Sequence, residues 1–464
     1  MDSDLIHRVP LPGNRQRAIS WTSIALVLIV ILALGLRLHG LNWDSGYGFH
    51  PDERDIYMRA GCMYEALTDE PGYSTCGYLN EQSETVPGFP GIGVFLDRER
   101  SPLNPHWFPL GSILVYLMVF SRSIVELFTD VSALDMRYVG RTISALADVG
   151  SVLMVFVLGR RLYGSMVGLL AAVLTATAVI HVQNSHYFRP ETLSVLFTLV
   201  SFWAMFRMVD RKRLGDSLVL GLAVGLTLSP KVSGLPLVLP LALAYGYRLW
   251  DGRRMLSTQI GEGVYSGPYD WPAMATVVGH GAVAAAVAAA VFLVTSPYSL
   301  LDFDSFINDV AAQGDMASHA GLWPFTVQYI GTDPFIYQFK QSAVFGLGLP
   351  LGIIAWMAIP FTAVLSFWPR ENRRSDLLIL VWLVASLLFL ESFEVRFLRY
   401  VFPLMPFMIL LGSRMLIWLA VTGRLAGGKS HSFPDSGRLD SISSLVLGNV
   451  RLAPVLTWGP VVLI

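Results

Sequence analysis

Charged residues are scarce in this chain. They make up 14% of its 464 residues, whereas hydrophobic residues make up 53%, and the mean hydropathy is +0.54. Soluble domains carry about 25% charged residues, so the composition excludes an ordinary soluble protein. The net charge of −1 gives no basic excess, which argues against a nucleic-acid partner. Many apolar runs of about 18 residues or more predict a multi-pass integral membrane protein in contact with the lipid bilayer.

Cysteine is also rare, and two families of catalytic motif are missing. The only cysteines are Cys62 and Cys76. A disulfide between them is chemically allowed if their loop lies outside the cell, and two free thiols are the alternative. No glycine-rich phosphate loop follows a strand pattern, which argues against a nucleotide-sugar substrate. Ser/His/Asp hydrolase motifs are absent as well.

The apolar runs predict an all-α, multi-pass helical bundle that forms a single membrane domain over residues 1–464. They fall at 19–38, 109–128, 141–159, 164–182, 191–209, 216–229, 233–248, 272–296, 342–366, 376–391, 397–420 and 444–464.

Basic loops give the direction of these helices, because Lys and Arg accumulate on the cytoplasmic side. Clusters such as Arg160-Arg161 follow every second helix from 141 onward, and three arginines precede the first helix. A cytoplasmic N-terminus and these basic loops lie on the same side of the membrane only if 109–128 does not cross. Eleven membrane spans then remain. Residues 39–140 then form the first external loop with juxtamembrane helices, and 297–341 form the second. Residues 423–444 are predicted to be a cytoplasmic linker before the last helix; the alternative is that 109–128 crosses.

Two carboxylates follow the first helix closely, in the stretch His50-Pro51-Asp52-Glu53. Charged groups near hydrocarbon are costly, which points to a function. Pro51 suits the first turn of a helix, where acids also complement the helix dipole; that is the purely structural interpretation. A carboxylate can also act as a base that takes the proton of an acceptor hydroxyl. We therefore predict Asp52 and Glu53 as catalytic residues.

Several segments resemble, in this order, the GT-C membrane glycosyltransferases, in particular dolichyl-phosphate-mannose–protein mannosyltransferase-like (family 39) and aminoarabinose-transferase-like enzymes. They are His50-Pro51-Asp52-Glu53, 140–148, 163–170, 185–191, 221–231, Pro297-Tyr298 and 399–406. The resemblance implies a polyprenyl-phosphate-linked sugar donor, an acceptor on the outer face and inversion at the anomeric carbon. It also implies juxtamembrane helices in the first external loop.

Two cations are candidate ligands of the donor phosphate. Lys231 stands alone between two apolar helices on the side where cations are sparse. A fixed positive charge stabilises a phosphate leaving group, although Lys231 could instead extend to lipid headgroups. Arg399 and Tyr400 match the family's Arg-Tyr-x-x-Pro-x-x-Pro feature and are assigned to the phosphate by that resemblance. Arg396 instead has Glu391 and Glu394 as neighbours and candidate ion-pair partners.

The second external turn supplies further candidates. Arg189 is a predicted phosphate ligand, and His186 and Glu191 are predicted to line the site. The resembling enzymes more often carry Asp at the position of Glu191, which is otherwise a helix-start acid. His50, His106 and Tyr298 complete the predicted lining, with His106 as an alternative helix cap.

The second external loop carries acids and a run of aromatic residues from Trp323 to Phe339. The aromatic side chains fit either contact with a sugar or packing at the membrane interface. Asp315 and His319 have helical spacing, but two ligands are too few for a metal site. The sequence predicts no cofactor with certainty and leaves open whether the protein binds a divalent metal.

The sequence thus predicts an inverting glycosyltransferase in the bacterial plasma membrane, with an outward-facing site. Its predicted partners are a polyprenyl-phosphate sugar donor and a protein, lipid or glycan acceptor. The alternatives are a transporter or flippase of lipid-linked sugars and an outer-face ligase that uses a polyprenyl-diphosphate donor. Transporters usually show inverted repeats and broken helices at the membrane midplane, whereas this chain concentrates its charges near one surface.

Overall fold

The computed structural model describes residues 21–68, 85–132, 134–259, 271–368 and 370–426. Within these ranges the chain is helical and contains no strand. The α-helices, numbered α1 to α17 in chain order, are Trp21–Leu38, Pro51–Thr68, Ile92–Phe95, Ile113–Val125, Met136–Tyr163, Ser165–Thr177, Val179–Ser185, Pro190–Arg211, Leu214–Leu228, Val238–Gln259, Trp271–Thr295, Tyr298–Leu301, Phe303–Ser318, Ile336–Gln341, Leu349–Leu365, Arg373–Glu391 and Met405–Ala426.

Short tight helices join some of these elements. Three are 3₁₀-helices, at Val232–Leu237, Val327–Tyr329 and Leu398–Leu404, and one is a π-helix at Ser342–Gly346. Two of the 3₁₀-helices contain a proline, which removes a backbone donor and disfavours a regular α-helix there. The first of these segments follows Lys231, and the second contains Arg399 and Tyr400. They therefore help to set the positions of these three predicted phosphate ligands.

The predicted membrane helices correspond to observed helices wherever the structure describes the chain. Among the described residues, six helices are long and apolar enough to cross a membrane, and the pair α6–α7, bent by 56°, adds a seventh if it forms one broken span. Helices α9 and α15 are apolar but shorter, and α16 has charged residues at both ends. The fold class is therefore confirmed as an all-α membrane bundle, whereas the predicted number of eleven spans is not established.

Two predicted segments reach beyond the described residues. The last helix at 444–464 lies entirely outside them. Helix α17 continues to Ala426, so the linker predicted to begin at residue 423 cannot begin before 427. The remainder of that linker also lies outside the described residues.

Residues 39–140, the predicted first external loop, contain the helices α2 and α4. Helix α4 has 13 residues, so it is about 20 Å long and shorter than the ~30 Å hydrocarbon core. This length agrees with the prediction that 109–128 does not cross. The apolar residues of α2, which include Ile56 and Met63, recur at three- to four-residue steps, a spacing that suits a helix lying along the membrane. In the structure these residues are instead buried against Leu114 and Met118 of α4.

The membrane core is centred on α8 and α17. Phe202 and Phe407 have ring centroids 4.6 Å apart, and both are fully buried. Trp382 of α16 packs beside them and joins the same apolar cluster. This packing fixes α8, α16 and α17 relative to one another, and most of the charged residues described below lie at one end of these three helices.

A buried ion cluster pins the bend between α6 and α7. Arg37 donates to Asp148 at 2.7 Å, and His181 contacts the other oxygen of Asp148 at 2.7 Å. All three side chains are inaccessible to solvent. Arg37 also donates to the carbonyl oxygens of Thr175 and Ala176, so it satisfies backbone groups next to the bend. Sequence reasoning did not single out this cluster, although ionisable residues in apolar helices are the signal.

Candidate active site

A cavity of about 260 Å³ lies at one end of the bundle, between α8, α16 and α13. Most of its wall is apolar, with Leu235, Trp382, Phe389 and Phe393 among the lining residues. Its polar wall is formed by Glu191, Lys231, Arg399 and Tyr400. The cavity therefore combines a charged wall with an apolar one, as an amphipathic ligand requires.

Glu191 is the centre of the charged wall. Its carboxylate lies 3.9 Å from Lys231 Nζ, 3.6 Å from Arg399 Nε and 3.8 Å from Arg189 Nε. Helix α8 begins at Pro190, so Glu191 also sits in its first turn, near the positive end of the helix dipole. One buried anion thus holds three cations from three different parts of the chain together.

These contacts are loose compared with close ion pairs of about 2.7–2.9 Å. Among the described residues, the buried Nε atoms of Arg399 and Arg189 have no hydrogen-bond partner. Lys231 Nζ lies 4.6 Å from the ring centroid of Tyr400, a cation–π contact that still leaves its N–H donors largely free. The cluster is therefore assembled but keeps donors that can bind an anionic ligand.

Asp52 joins this cluster through Arg399, whose Nη2 lies 3.6 Å from its carboxylate. Asp52 is not among the residues that line the cavity, and its side chain is 28% exposed. It is thus open to solvent while remaining next to the cations. The structure brings Asp52, Lys231 and Arg399 together, as the sequence predicted.

His50 lies on the same side of the cluster. Its Nε2 is 2.9 Å from Nη1 of Arg189 and accepts a hydrogen bond from it. Burial and the neighbouring Arg189 charge lower the pKa of His50 to about 4. Arg189 also donates to Asn184, so it is held from two sides. Both residues lie beside the predicted site, but neither lines the cavity.

Glu53 is placed differently from the prediction. Its carboxylate receives two hydrogen bonds from Arg141, at 2.9 and 2.7 Å, and a third from the backbone N–H of Phe188. The side chain is fully buried, so it cannot reach a substrate. Its predicted catalytic role is not supported by this geometry, because Glu53 joins α2 to α5 and to the second external turn.

Arg141 and Asp44 are the residues that sequence reasoning missed. The two terminal nitrogens of Arg141 donate to Asp44 at 3.0 and 2.8 Å, opposite its contacts with Glu53. The hydrogen bonds from Arg141 and from two backbone N–H groups lower the pKa of Asp44 to about 2. An arginine within a long, largely apolar helix was the available signal. The triad fixes the start of α2 and thereby Asp52.

A close backbone approach positions Lys231. Gly111 donates its N–H to the carbonyl oxygen of Pro230 at 2.9 Å. A Cβ at position 111 would lie 1.7 Å from the carbonyl oxygen of Ser229, so only glycine fits. The first external loop is therefore docked directly on the turn that presents Lys231 to the cavity.

Three predicted lining residues lie elsewhere. His186 contacts the carbonyl oxygens of Val182 and His39, and Tyr298 donates from its buried hydroxyl to Phe95. These contacts hold loops in place, and neither side chain lines the cavity.

His106 is the third predicted lining residue that lies away from the cavity. Its ring lies beside Asn104 and near Asp302, six residues before Ser112, which precedes α4. It therefore neither lines the cavity nor caps that helix.

The structure also bears on the predictions for Arg396, for the cysteines and for a metal site. Arg396 pairs with Glu391 at 3.1 Å, whereas Arg399 enters the charged cluster. Cys62 is disulfide-bonded; its predicted partner Cys76 lies outside the described residues. No group of three or more potential metal ligands occurs among the residues that the structure describes.

The family model of dolichyl-phosphate-mannose–protein mannosyltransferases matches residues 100–265, which is less than half of the chain. No curated protein sequence gives a significant match.

Solved structures match over most of the chain. Archaeal oligosaccharyltransferase AglB from Archaeoglobus fulgidus, in complex with an inhibitory peptide and a dolichol-phosphate, gives a TM-score of 0.54 at 14% identity and covers 96% of this chain. The same enzyme tethered to an acceptor peptide gives 0.52, also at 14% identity and 96% coverage. This chain spans about half of the archaeal enzyme, 55% and 54% of its length in the two structures. ArnT from Cupriavidus metallidurans bound to undecaprenyl phosphate gives 0.49 at 14% identity, covering 91% of this chain and 67% of that one. The resemblance predicted from the sequence is thus confirmed at the level of the fold, which is that of the GT-C membrane glycosyltransferases.

Proposed function

We propose that this protein is an inverting glycosyltransferase that moves a sugar from a polyprenyl-phosphate donor to an acceptor hydroxyl. The observation that carries the proposal is the cavity, in which one apolar wall faces a wall with Lys231 and Arg399. A polyprenyl-phosphate sugar has the matching character, since an apolar chain and an anionic phosphate adjoin each other. The archaeal enzyme with a similar fold was captured with dolichol-phosphate, which is in keeping with such a donor.

The charge of the cluster supports a phosphate ligand. Arg189, Lys231 and Arg399 face the carboxylates of Glu191 and Asp52, and His50 is neutral at pH 7. The cluster therefore has one net positive charge, which a phosphodiester with one negative charge would neutralise. When the sugar leaves, the phosphate becomes more negative, and the same cations stabilise the leaving group more strongly than the bound donor.

The reaction then needs a base on the solvent side. In the proposed step, the acceptor oxygen attacks the anomeric carbon, and Asp52 takes the hydroxyl proton. The bond between the anomeric carbon and the phosphate oxygen breaks, and its electron pair stays on the phosphate. Attack opposite to the phosphate inverts the anomeric carbon. Glu191 acts as the fixed anion that keeps Lys231 and Arg399 at the phosphate.

The acceptor is a hydroxyl of a protein, a lipid or a glycan, reached from the side on which Asp52 is exposed. We propose that this side is the outer face of a bacterial plasma membrane; the distribution of basic loops supports its placement away from the cytoplasm. The prenyl chain of the donor would leave the cavity past Leu235 and Phe389, which are 55% and 36% exposed.

The test is an assay of sugar transfer from polyprenyl-phosphate sugars, using the purified protein and its Asp52→Asn variant. Asn keeps the size of the side chain but cannot accept the proton, so we expect at least a 100-fold lower kcat. The matched control is Asp304→Asn, since Asp304 is an exposed external acid. Full turnover by Asp52→Asn would reject the base assignment. Movement of a lipid-linked sugar across vesicles without any transfer would favour the transporter alternative.

A further inference from the structure

The second external loop presents an apolar surface that nothing in the described structure covers. Within residues 322–339, the side chains of Leu322, Trp323, Phe325, Val327, Ile330 and Ile336 are each at least half exposed. The same stretch contains a single charged residue, Asp333. Contiguous apolar patches of this kind on soluble surfaces mark interaction sites.

The polar groups of this loop are satisfied from the protein side. Glu391 accepts a hydrogen bond from the backbone N–H of Phe335 at 2.8 Å, and Glu394 accepts one from Ala320 at 2.9 Å. Arg396 donates to the carbonyl and the hydroxyl oxygens of Thr332. Lipid tolerates irregular backbone only where its polar groups are paired within the protein. Glu391, Glu394 and Arg396 meet that requirement for the backbone groups that they bind. The apolar side chains of the loop remain exposed.

The surface continues into further exposed apolar residues. After α14 it runs through Phe345, 58% exposed, to Leu349 at the start of the apolar helix α15. It also adjoins the open side of the cavity, because Ala317 and Phe393 line the cavity and lie next to the anchored ends of the loop.

We infer that residues 322–339 bind the membrane itself, with their aromatic and aliphatic side chains inserted in the leaflet on the side of the charged cluster. The partner is the lipid acyl and headgroup region, where Trp and other aromatic residues are favoured. Insertion places the loop beside the entrance of the cavity, at the depth from which a lipid-linked molecule arrives. The inference concerns a surface and not the reaction, so it holds or fails independently of the proposed function.

A fluorescence experiment tests the depth of this loop. Full-length Ile330→Cys protein is labelled without reductant, so that disulfide-bonded Cys62 stays unreactive, with a fluorophore sensitive to polarity. The protein is reconstituted in phosphatidylcholine–phosphatidylglycerol vesicles. Quenching by acyl-chain nitroxide lipids is then compared with quenching by iodide in the buffer. Asp304→Cys is the control, because its exposed carboxylate lies on the same external region; unmutated protein gives the background.

We expect the label at 330 to be quenched at least threefold more by nitroxide lipid than the label at 304, and iodide to show the reverse order. Equal iodide quenching at both positions would overturn the inference, because the loop would then lie in water. Protection from both quenchers would also overturn it, since a protein surface or a second copy would cover the loop. Trp323→Cys repeats the measurement if Ile330→Cys does not fold.

Discussion

Adjacent residues in α2 have unrelated roles. Asp52 is partly exposed beside Arg399, whereas Glu53 is buried against Arg141. Successive residues of an α-helix point about 100° apart, so two neighbouring acids cannot both face one site. The sequence could show that this segment carries two acids. It could not show which acid is the candidate base and which is the structural anchor, because that depends on how α2 is rotated against α5.

This division predicts different outcomes for two conservative variants. Glu53→Gln leaves Arg141 with one carboxylate fewer, and disrupting a buried pair costs about 3 kcal/mol. We expect a clearly lower unfolding temperature in detergent for Glu53→Gln and an unchanged one for Asp52→Asn. Equal unfolding temperatures for Glu53→Gln and the unmutated protein would contradict the anchoring role.

Lys231 is expected to act on donor binding. Removal of a charged hydrogen-bond donor costs about 1.5–3 kcal/mol, which corresponds to a 10- to 100-fold weaker affinity. Lys231→Met should therefore bind polyprenyl phosphate at least tenfold more weakly in a titration. The matched control is Lys340→Met, in the second external loop but not among the cavity-lining residues. An unchanged affinity of Lys231→Met would remove Lys231 from the phosphate site.

His50 predicts a specific dependence of stability on pH. Its pKa in the folded protein is about 4, below the ordinary value of 6.5. As the pH falls from about 6.5 to 4, the unfolded chain gains a proton that the folded chain does not, so the folded state loses stability. His50→Gln should therefore lose less stability than the unmutated protein between pH 7 and 4, measured by thermal unfolding. A parallel loss in both proteins would contradict a neutral His50.

At the scale of elements, apolar periodicity predicted the positions of the helices but not their partners. The stripe of α2 has the pattern of a helix that lies on lipid, yet it packs on α4. A lipid tail and a buried Leu or Met side chain are equally apolar, so the stripe alone cannot distinguish them. The prediction that α4 does not cross the membrane rests instead on the count of basic loops, which is a property of the whole chain.

The contact between the first external loop and the Lys231 turn gives an element-scale prediction. Gly111→Ala places a methyl group against the backbone of Ser229, so one segment has to move. We expect Gly111→Ala to weaken polyprenyl-phosphate binding tenfold or more, although position 111 touches no ligand. Gly215→Ala is the control, because a Cβ there meets open space. If Gly111→Ala binds normally, the loop does not set the position of Lys231.

At the scale of the whole molecule, the gathering of distant charges was the most predictable feature. Asp52, Glu191, Lys231 and Arg399 all fall on external segments under the charge-derived topology, and the structure brings them into one cluster. When the helices of a bundle alternate in direction, all segments on one side of the membrane lie at the same end of the bundle. The exact pairings were not predictable, because they depend on helix rotation and on backbone approaches such as that of Gly111.

That topology is itself testable by labelling from the two sides of the membrane. Asp135 precedes α5, and Arg213 lies in a basic loop between α8 and α9. If α4 does not cross, Asp135→Cys and Asp304→Cys should react with an impermeant maleimide from outside intact cells, and Arg213→Cys only after the membrane is opened. Reaction of Asp135→Cys only after the membrane is opened would mean that α4 crosses. Asp52 and Lys231 could then not share one face through the proposed alternation of helices, and the charge-derived orientation would fail with it.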